Sequence, residues 1–423
     1  MNAMFDWYVG VDWASEVHQV CLVDATGAVR GERAVRHGGA ELAALVDWLV
    51  ATTGADPARI AVALEMPHGP VVETLLERGF AVHALNPKQL DRFRDRFSVA
   101  GAKDDRRDAR VLGDSLRTDT RCFRRLHPDD PVMVELRERL GMAEECRQER
   151  TRLTNRVREQ LWRYYPRFLE LGDDLGAAWF RELWALAPTP ARAARVREAT
   201  VAKLLKRRRI RRLDAAEVLR RLRRPALGVA PGTVDAACAH IGALRERLRL
   251  VNRQIAAAEK RIDAILAELA APPEAPETPE TAPGQPPQQS DAAILLSLPG
   301  VGRTVCATLL VEAGALLRAA DHGALRALCG VAPVTKRSGK SCVVVMRHAC
   351  SGRLRDAVYH WARVAVQHDA TSKARYRALR RAGHSHGRAV RTVGDRLLET
   401  ACAMLRHRSL YDPQYAGRMR QAA

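Results

Sequence analysis

The sequence lacks features that mark several large classes of protein. No apolar run is long enough to span a membrane, and the N-terminus has no charged-then-apolar signal pattern. The nine cysteines are scattered and never spaced as CxxC, which argues against a disulfide framework and against a zinc ribbon. We therefore expect a protein of a reducing cytoplasm with no membrane partner.

Acidic residues are scarce relative to basic ones. The 423 residues include 69 Lys and Arg against 49 Asp and Glu, which gives a formal net charge of +20. This excess favours a nucleic-acid partner, because basic side chains that neutralise phosphates release counterions. Charge alone does not separate such a protein from one that is merely basic. The chain is long enough for two or three domains with cores of their own.

The first part of the chain alternates strand-like and helix-like segments. Three strand-like segments over residues 6–35, with a turn at Ala25–Gly27, predict an antiparallel meander. Alternating helices and strands follow, at residues 40–51, 60–64, 71–78 and 80–85. Because a meander followed by β-α-β units is the order of a ribonuclease-H-like fold, we predict an α/β domain of that class over residues 5–125.

Four acidic residues stand at the ends of these predicted elements. Asp12 ends the first strand and Glu65 follows a later one, whereas Asp105 and Asp108 would share one face of a helix. This placement suits a phosphodiester site with two Mg²⁺ ions, which polarise the phosphate and stabilise the leaving oxygen. Taken singly, each carboxylate is more often structural than catalytic. Asp104 lies off that face and is left out of the predicted site.

The middle of the chain, residues 130–270, is expected to be helical. One apolar stripe runs over residues 136–161, and a second, with heptad spacing, runs over residues 244–269. The heptads predict a coiled coil, either as a hairpin within one chain or as a seam between two subunits. Residues 271–290 contain seven prolines and predict an extended linker.

A basic segment interrupts this helical region. Residues 203–224 carry eleven basic side chains and only two acidic ones. This density favours a basic arm that contacts phosphates over a solvated helix face. The candidate contacts form one run: Lys206, Arg207, Arg208, Arg209, Arg211 and Arg212.

A mostly α-helical C-terminal domain is predicted over residues 291–410. It opens with LPGVG at residues 298–302, which is typical of a helix-hairpin-helix turn whose glycines let backbone N–H groups approach a phosphate. Gly300, Gly302 and Arg303 are therefore candidate nucleic-acid contacts. A tight turn between two helices with no ligand would need the same glycines.

A second basic loop surrounds Ser338. Lys336, Arg337 and Lys340 flank this serine and could stabilise a phosphate transition state. A serine that attacks DNA would conserve the bond energy in a phosphoserine ester, which allows rejoining without ATP. On these residues alone, a phosphate-contacting loop is the better interpretation, and the spacing of an ATP-binding P-loop is absent.

Together these motifs resemble a known family, the DEDD transposases. These are RNA-guided serine recombinases of bacterial insertion sequences, with a RuvC-like domain and a C-terminal transposase domain. The resemblance rests on VGVDWA around Asp12, ALEMPHG around Glu65 and KDDRRDA around Asp105 and Asp108, and on LPGVG, CGVAP and Ser338-Gly339 in the C-terminal half. It covers residues 5–125 and 291–405.

The resemblance implies roles that composition does not. Asp12, Glu65, Asp105 and Asp108 would bind Mg²⁺, two ions per site, and Ser338 would be the nucleophile that joins covalently to DNA. The implied partners are double-stranded donor and target DNA, a noncoding guide RNA, and further copies of the chain as dimers that pair into a tetramer. The implied location is the bacterial cytoplasm, at the nucleoid.

Two other functions are compatible with the sequence. A RuvC-like, structure-specific nuclease would cleave with metal-activated water and use Ser338 only as a phosphate contact. A basic architectural protein with a degenerate metal site would bind nucleic acid without chemistry, but the complete set of four carboxylates argues against it.

Overall fold

The computed structural model describes residues 5–96, 104–128, 130–225, 227–271 and 289–413. The chain divides into two compact units, Met1–Asp130 and Pro131–Ala423. Within the described ranges, no helix combines the length and the apolar content that crossing a membrane requires. Most of the predicted linker, residues 272–288, lies outside these ranges, and the predicted domain limits remain predictions.

The first unit is a mixed α/β fold. Its elements are β1 (Trp7–Asp12), β2 (Val17–Asp24), β3 (Val29–Arg36), α1 (Gly39–Thr53), β4 (Ile60–Leu64), α2 (Pro70–Glu77), β5 (Ala81–Ala84), α3 (Pro87–Arg94), α4 (Asp105–Thr118) and β6 (Arg124–Arg125). The strands form one sheet in the order β3-β2-β1-β4-β5-β6. The predicted three-strand meander is present, and the segments predicted at residues 40–51, 60–64, 71–78 and 80–85 lie within two residues of α1, β4, α2 and β5.

The sheet changes character at β1. Strands β1, β2 and β3 pair antiparallel, whereas β1, β4 and β5 pair parallel. All residues of β4 and β5 are buried, as expected for parallel strands covered on both faces. A three-strand meander joined to parallel strands is consistent with the predicted ribonuclease-H-like fold.

The hairpin between β2 and β3 is organised by one carboxylate. Asp24 accepts hydrogen bonds from the backbone N–H groups of Thr26 and Ala28, at 2.8 and 3.1 Å, and from Arg30 Nε at 2.6 Å. Hydrogen bonds, the Thr26 hydroxyl first, hold the pKa of Asp24 well below its usual value. Gly27 takes a positive φ of 93°, which explains the glycine at the predicted turn.

Helix α4 packs directly against the backbone of β1. A Cβ atom on Gly10 would lie 1.8 Å from the carbonyl oxygen of Ala109 and 2.6 Å from the nitrogen of Gly113. Gly113 faces Gly10 in return, with a Cβ position 3.0 Å from the nitrogen of Gly10. Only a pair of glycines allows the helix and the strand to approach this closely.

The second unit is mostly helical. Its helices are α5 (Pro131–Tyr164), α6 (Ala178–Leu186), α7 (Pro190–Arg195), α8 (Glu198–Arg207), α9 (Ala215–Leu222), α10 (Thr233–Ala270), α11 (Asp291–Ser297), α12 (Arg303–Arg318), α13 (His322–Leu328), α14 (Gly352–His368), α15 (Ala370–Arg381) and α16 (His386–His407). A separate two-stranded sheet consists of β7 (Val334–Ser338) and β8 (Ser341–Val345).

The two predicted apolar stripes meet within one chain. Helices α5 and α10 pack along their lengths, and their buried positions include Leu153, Leu161, Leu244 and Leu248. Ion pairs between Glu135 and Arg261 and between Glu149 and Arg247 show that the helices run antiparallel. Of the two arrangements that the heptads allowed, the structure contains the intramolecular hairpin.

One end of this hairpin shares a core with the C-terminal helices. Buried residues of α5 and α10, among them Leu136 and Ile262, belong to the same apolar cluster as Leu295, Trp361 and Leu398. The other end of the hairpin forms a second cluster with α6, α8 and α9. The C-terminal helices are therefore packed onto the coiled-coil region within the second unit.

The basic segment 203–224 is folded and does not project as an arm. It forms the end of α8, a short loop and α9, and Leu204, Leu205, Val218 and Leu219 are buried. The structure corrects the expectation of an arm because the apolar residues between the basic ones are part of the second unit's core.

Substitution of Gly10 by Ala tests the contact between β1 and α4. The new methyl group would overlap the Ala109 carbonyl, so we expect a loss of about 3 kcal/mol or more in unfolding free energy. Urea unfolding followed by circular dichroism measures this loss. Gly39→Ala is the control, because no atom lies within 4 Å of its Cβ position, and equal stabilities of the two variants would contradict the prediction.

Candidate active site

Asp12 and Glu65 lie side by side at one edge of the sheet. β1 and β4 are parallel neighbours, and Val11 pairs with Leu64. Asp12 is the last residue of β1, and Glu65 directly follows β4, so both acids stand at the carboxyl ends of adjacent parallel strands. Open α/β sheets bind their ligands at this edge.

The first turn of α4 carries the two acids of the predicted helical pair in different environments. Asp108 is 1% exposed, whereas Asp105, the first residue of the helix, is exposed. Asp104 is the N-cap, and its carboxylate accepts a hydrogen bond from the backbone N–H of Arg106 at 3.2 Å. Helix capping thus gives Asp104 a structural role outside the predicted set of four acids.

Arg94, at the end of α3, links Asp108 to Glu65. Arg94 Nε donates to Asp108 Oδ1 at 2.5 Å, and Nη2 donates to Asp108 Oδ2 at 2.7 Å. The same Nη2 lies 3.9 Å from Glu65 Oε1. The hydrogen bond to Asp108 raises the pKa of Arg94 above its usual value. Arg94 is absent from the predicted site residues, because nothing local in the sequence distinguishes it from other arginines.

The four predicted acids do not form a closed metal cage. Within the described ranges, no three His, Cys, Asp or Glu residues are close enough together to hold a metal ion. The donor set is nevertheless chemically suited to a hard divalent cation, because it consists of carboxylate oxygens, and two of its members, Asp12 and Glu65, lie at one sheet edge. Two of these carboxylates, Glu65 and Asp108, already converge on one positive charge, so the residues fit such an ion in place of the guanidinium.

Two histidines support the chain just after Asp12. The backbone N–H of Ala14 donates to His18 Nδ1 at 3.3 Å, and His18 Nε2 lies 3.0 Å from His37 Nδ1. His18 therefore carries its proton on Nε2 and donates it to His37. Burial lowers the pKa of His18, and the neighbouring His37 lowers it further. A neutral imidazole thus holds the loop that follows the first catalytic candidate.

Ser338 lies at the exposed tip of the β7–β8 hairpin. It pairs across the strands with Ser341, and Gly339 and Lys340 form the two-residue turn, in which Gly339 has a φ of 53°. Residues two apart on a strand share a face, so Lys336 lies on the face of Ser338 and Arg337 lies on the opposite one. The hairpin thus places Lys336 and Arg337 on opposite faces and Lys340 in the turn beside Ser338.

The LPGVG turn is packed closely against α14. Gly300 has a φ of 82°, and a Cβ atom there would lie 2.7 Å from the backbone nitrogen of Ala365. Trp361 Nε1 donates to the carbonyl of Pro299 at 2.9 Å. This packing accounts for Gly300 without a ligand. Gly302, at the exposed start of α12, has open space around it, and Arg303 pairs with Asp263 of α10.

The six basic candidates of the segment 206–212 differ in their surroundings. Arg207 and Arg208 both form ion pairs with Glu182, and the guanidinium of Arg212 lies 5.6 Å from the centre of the Trp179 ring. The remaining three, Lys206, Arg209 and Arg211, are exposed. Partial neutralisation leaves this segment less positive than its sequence indicates.

Helix α15 is a basic surface absent from the predicted set of contacts. Its twelve residues contain no acid, and its basic side chains are exposed: Lys373, Arg375, Arg377, Arg380 and Arg381. None of the five forms a salt bridge with a carboxylate of the described chain. The many basic residues at 373–381 could have indicated this surface from the sequence. Only the fold shows that these side chains have no carboxylate partner among the described residues.

Comparison with known proteins places these features in a family. A family model of DEDD transposases, described as a transposase, matches residues 9–166. A second, described as the transposase IS116/IS110/IS902 family, matches residues 292–377. The protein named as the mini-circle transposase for IS117 of Streptomyces coelicolor is 31% identical over 97% of this chain and 96% of its own length. The chain belongs to the IS116/IS110/IS902 family of transposases.

Other relatives agree with this assignment. A protein of Sinorhizobium fredii named as the transposase y4uE is 64% identical over 209 residues, which are 49% of this chain and 58% of that relative. A 44.8 kDa protein of insertion element IS116 from Streptomyces clavuligerus is 26% identical over 96% of both chains.

Family membership confirms part of what the sequence predicted. The chain is a DEDD transposase, an enzyme of the class that cleaves and rejoins DNA. DEDD transposase domains are typically dependent on divalent metal ions.

Two substitutions of Asp104 separate capping from metal binding in this transposase. Asp104→Asn keeps a good N-cap, so we expect unchanged stability and unchanged DNA cleavage. Asp104→Ala removes the cap and should cost about 1 kcal/mol of unfolding free energy. Thermal unfolding and a plasmid cleavage assay measure the two effects. Loss of cleavage in Asp104→Asn, at unchanged stability, would make Asp104 a member of the metal site.

Proposed function

We propose that this transposase cleaves and rejoins DNA strands with Mg²⁺ held by Asp12, Glu65, Asp105 and Asp108, and with Ser338 as the nucleophile. The observation that carries the metal site is the convergence of Glu65 and Asp108 on one cation beside Asp12. When bound, the divalent ions supply positive charge that polarises the scissile phosphate and stabilises the leaving oxygen.

The proposed covalent step exchanges one phosphodiester bond for another. The Oγ atom of Ser338 attacks the scissile phosphorus and loses its proton, and the bond from phosphorus to one deoxyribose oxygen breaks. That oxygen takes up a proton and becomes a free hydroxyl, while the phosphate remains as a serine ester. A deoxyribose hydroxyl of the partner strand then attacks the ester, which releases the serine and forms the recombinant strand.

The geometry around Ser338 supports this role. The serine stands at an exposed tip, where a duplex can reach it, and Lys336 on the same face is placed to contact the phosphate it attacks. Arg337 and Lys340 add positive charge at the same tip. An exposed hairpin is also compatible with a simple phosphate contact, so Ser338 requires a chemical test.

The exposed charges of α15 suggest where DNA lies on the second unit. Lys373, Arg377 and Arg381 recur every four residues and form one stripe along the helix, with charges separated by about 6 Å. A stripe of cations with no carboxylate partner among the described residues suits a phosphate backbone. We propose that this stripe binds DNA, in addition to Lys206, Arg209 and Arg211.

A guide RNA and an oligomer complete the proposal. The motifs in both halves of the chain resemble those of RNA-guided recombinases, which supports target and donor selection by a noncoding RNA encoded beside the gene. The same resemblance supports dimers that pair into a tetramer. Composite active sites would then take the carboxylates from one subunit and the serine from another.

Metal-activated water is the alternative nucleophile. The DEDD family model matches residues 9–166, and this family suggests nuclease-like chemistry, in which water attacks and no protein–DNA adduct forms. Both functions require the carboxylates, so Asp12→Ala should abolish cleavage under either one. Only detection of a covalent protein–DNA adduct distinguishes the serine recombinase from the water-based nuclease.

Ser338→Ala tests the nucleophile. We expect this variant to bind DNA but to lose strand cleavage by a factor of about 10³ or more, because removing a nucleophile removes the covalent route. Peptide mass spectrometry of trapped wild-type reactions should find a phosphoserine adduct at Ser338. Ser341→Ala, its cross-strand neighbour, is the matched control and should retain the adduct.

Outcomes of the same reaction separate the parts of the proposal. Cleavage that persists in Ser338→Ala without any adduct favours the water-based nuclease.

Reactions with and without RNA transcribed from the flanking noncoding DNA test the guide. A mixture of Ser338→Ala and Asp12→Ala subunits should regain activity if the active sites are composite, and should stay inactive if each site lies within one subunit.

Neutralisation of α15 tests the proposed DNA stripe. The double variant Arg377→Gln/Arg381→Gln should weaken DNA binding and reduce the slope of log affinity against log salt by about 2, because each lost phosphate contact contributes about 1. Arg220→Gln/Arg221→Gln removes the same charge from a pair bound to Glu217 and should change the slope little. Fluorescence anisotropy over a salt series measures both, and equal slopes would contradict the stripe.

A further inference from the structure

The guanidinium of Arg94 lies among several carboxylates of the first unit. Its guanidinium makes a two-pronged hydrogen bond to Asp108 and lies 3.9 Å from Glu65, and its third nitrogen pairs with Asp91. Three carboxylates therefore surround one positive charge. Two of them, Glu65 and Asp108, belong to the set that we assign to the metal site.

Burial explains why Asp108 needs this partner. Its side chain is 1% exposed, and a buried carboxylate is costly unless a charge neutralises it and hydrogen bonds satisfy its oxygens. The two parallel hydrogen bonds from Arg94 satisfy both oxygens at once. A divalent cation bound to Asp108 would provide the same neutralisation, so the arginine and the metal meet the same electrostatic need.

We propose that Arg94 is an internal counter-ion that holds Asp108 and Glu65 in the metal-free protein and must withdraw from them when a divalent cation binds. The inference depends on the proposed function in one respect, namely that these two carboxylates are metal ligands. The same lone pairs of Asp108 cannot serve both the guanidinium and a metal ion, and a divalent cation bound to Asp108 would repel the guanidinium. Metal binding and the Arg94–Asp108 pair are therefore competing states.

Competition predicts that Arg94 lowers the apparent metal affinity. If the arginine vacates the carboxylates for only a tenth of the time, the dissociation constant of the metal rises about tenfold, because only the vacated fraction binds. The arginine would thereby keep the buried Asp108 carboxylate paired until a metal ion is available. In this role Arg94 is a positioning residue that acts through Asp108.

Mn²⁺ binding to the full chain, followed by electron paramagnetic resonance, tests the competition without any activity assay. Mn²⁺ suits oxygen ligands as Mg²⁺ does and is spectroscopically visible. We expect Arg94→Gln to bind Mn²⁺ about tenfold more tightly than the wild type. We also expect Mn²⁺ to raise the melting temperature of Arg94→Gln more than that of the wild type, since the metal then neutralises an otherwise unpaired Asp108.

Arg96→Gln is the matched control. Arg96 lies two residues further along and pairs with the half-buried Asp119, not with Asp108, so the Mn²⁺ affinity of this variant should equal that of the wild type. Arg94→Lys keeps the positive charge but loses the two-pronged geometry, so this variant should fold even if Arg94→Gln does not. It should tighten Mn²⁺ binding by a smaller factor than Arg94→Gln.

The outcomes separate this inference from the proposed function. If Asp108→Asn abolishes Mn²⁺ binding and neither Arg94 variant tightens it, the metal site stands and the counter-ion role is wrong. If the Arg94 variants weaken Mn²⁺ binding, Arg94 assists the metal, and the competition is again wrong. If Asp108→Asn binds Mn²⁺ as the wild type does, the assignment of the metal site itself fails, whatever the Arg94 variants do.

Discussion

The candidate active site depends on the contact between Gly10 of β1 and the backbone of α4. With no side chain on either Gly10 or Gly113, the helix meets the strand through main-chain atoms at this point. Main-chain atoms have no rotamers, so this contact sets the separation between helix and strand more rigidly than packed side chains would. Asp12 lies two residues beyond Gly10, and Asp108 directly precedes the Ala109 carbonyl that Gly10 meets. The contact therefore places an acid of the strand and an acid of the helix relative to each other.

The basic side chains of this protein differ in whether they form ion pairs with carboxylates. Its net charge of +20 leaves many cations free to bind nucleic acid, yet the carboxylate that is most deeply buried in the candidate site has an arginine of its own. In the second unit, Arg207 and Arg208 are bound to Glu182, whereas the basic side chains of α15 have no carboxylate partner among the described residues. Pairing, more than the number of basic residues, distinguishes the surface that can offer charge to phosphates.

The second unit combines a well-packed helical core with an exposed hairpin that carries Ser338. The α5–α10 hairpin spans helices of 34 and 38 residues, and the C-terminal helices share an apolar core with one of its ends. The LPGVG turn packs closely against α14 at Gly300, and this contact by itself explains why the position is a glycine. By contrast, both strands of the β7–β8 hairpin are largely exposed, and Ser338 stands at its tip. An exposed ribbon is a suitable place for the proposed nucleophile, because a large substrate can reach it.

Local pattern by itself determined much of this protein. Alternation and turn residues predicted the strands of the first unit, and strand ends with helical spacing selected Asp12, Glu65, Asp105 and Asp108, because such signals lie within a few neighbouring residues. Tertiary structure decided which surfaces meet. It paired the two apolar stripes within one chain, folded the basic segment 203–224 into the core, explained Gly300 by its contact with α14, and brought Arg94 to Asp108. Each of these depends on atoms that converge from distant elements, and a linear pattern contains no record of which partner a buried charge or an apolar stripe will find.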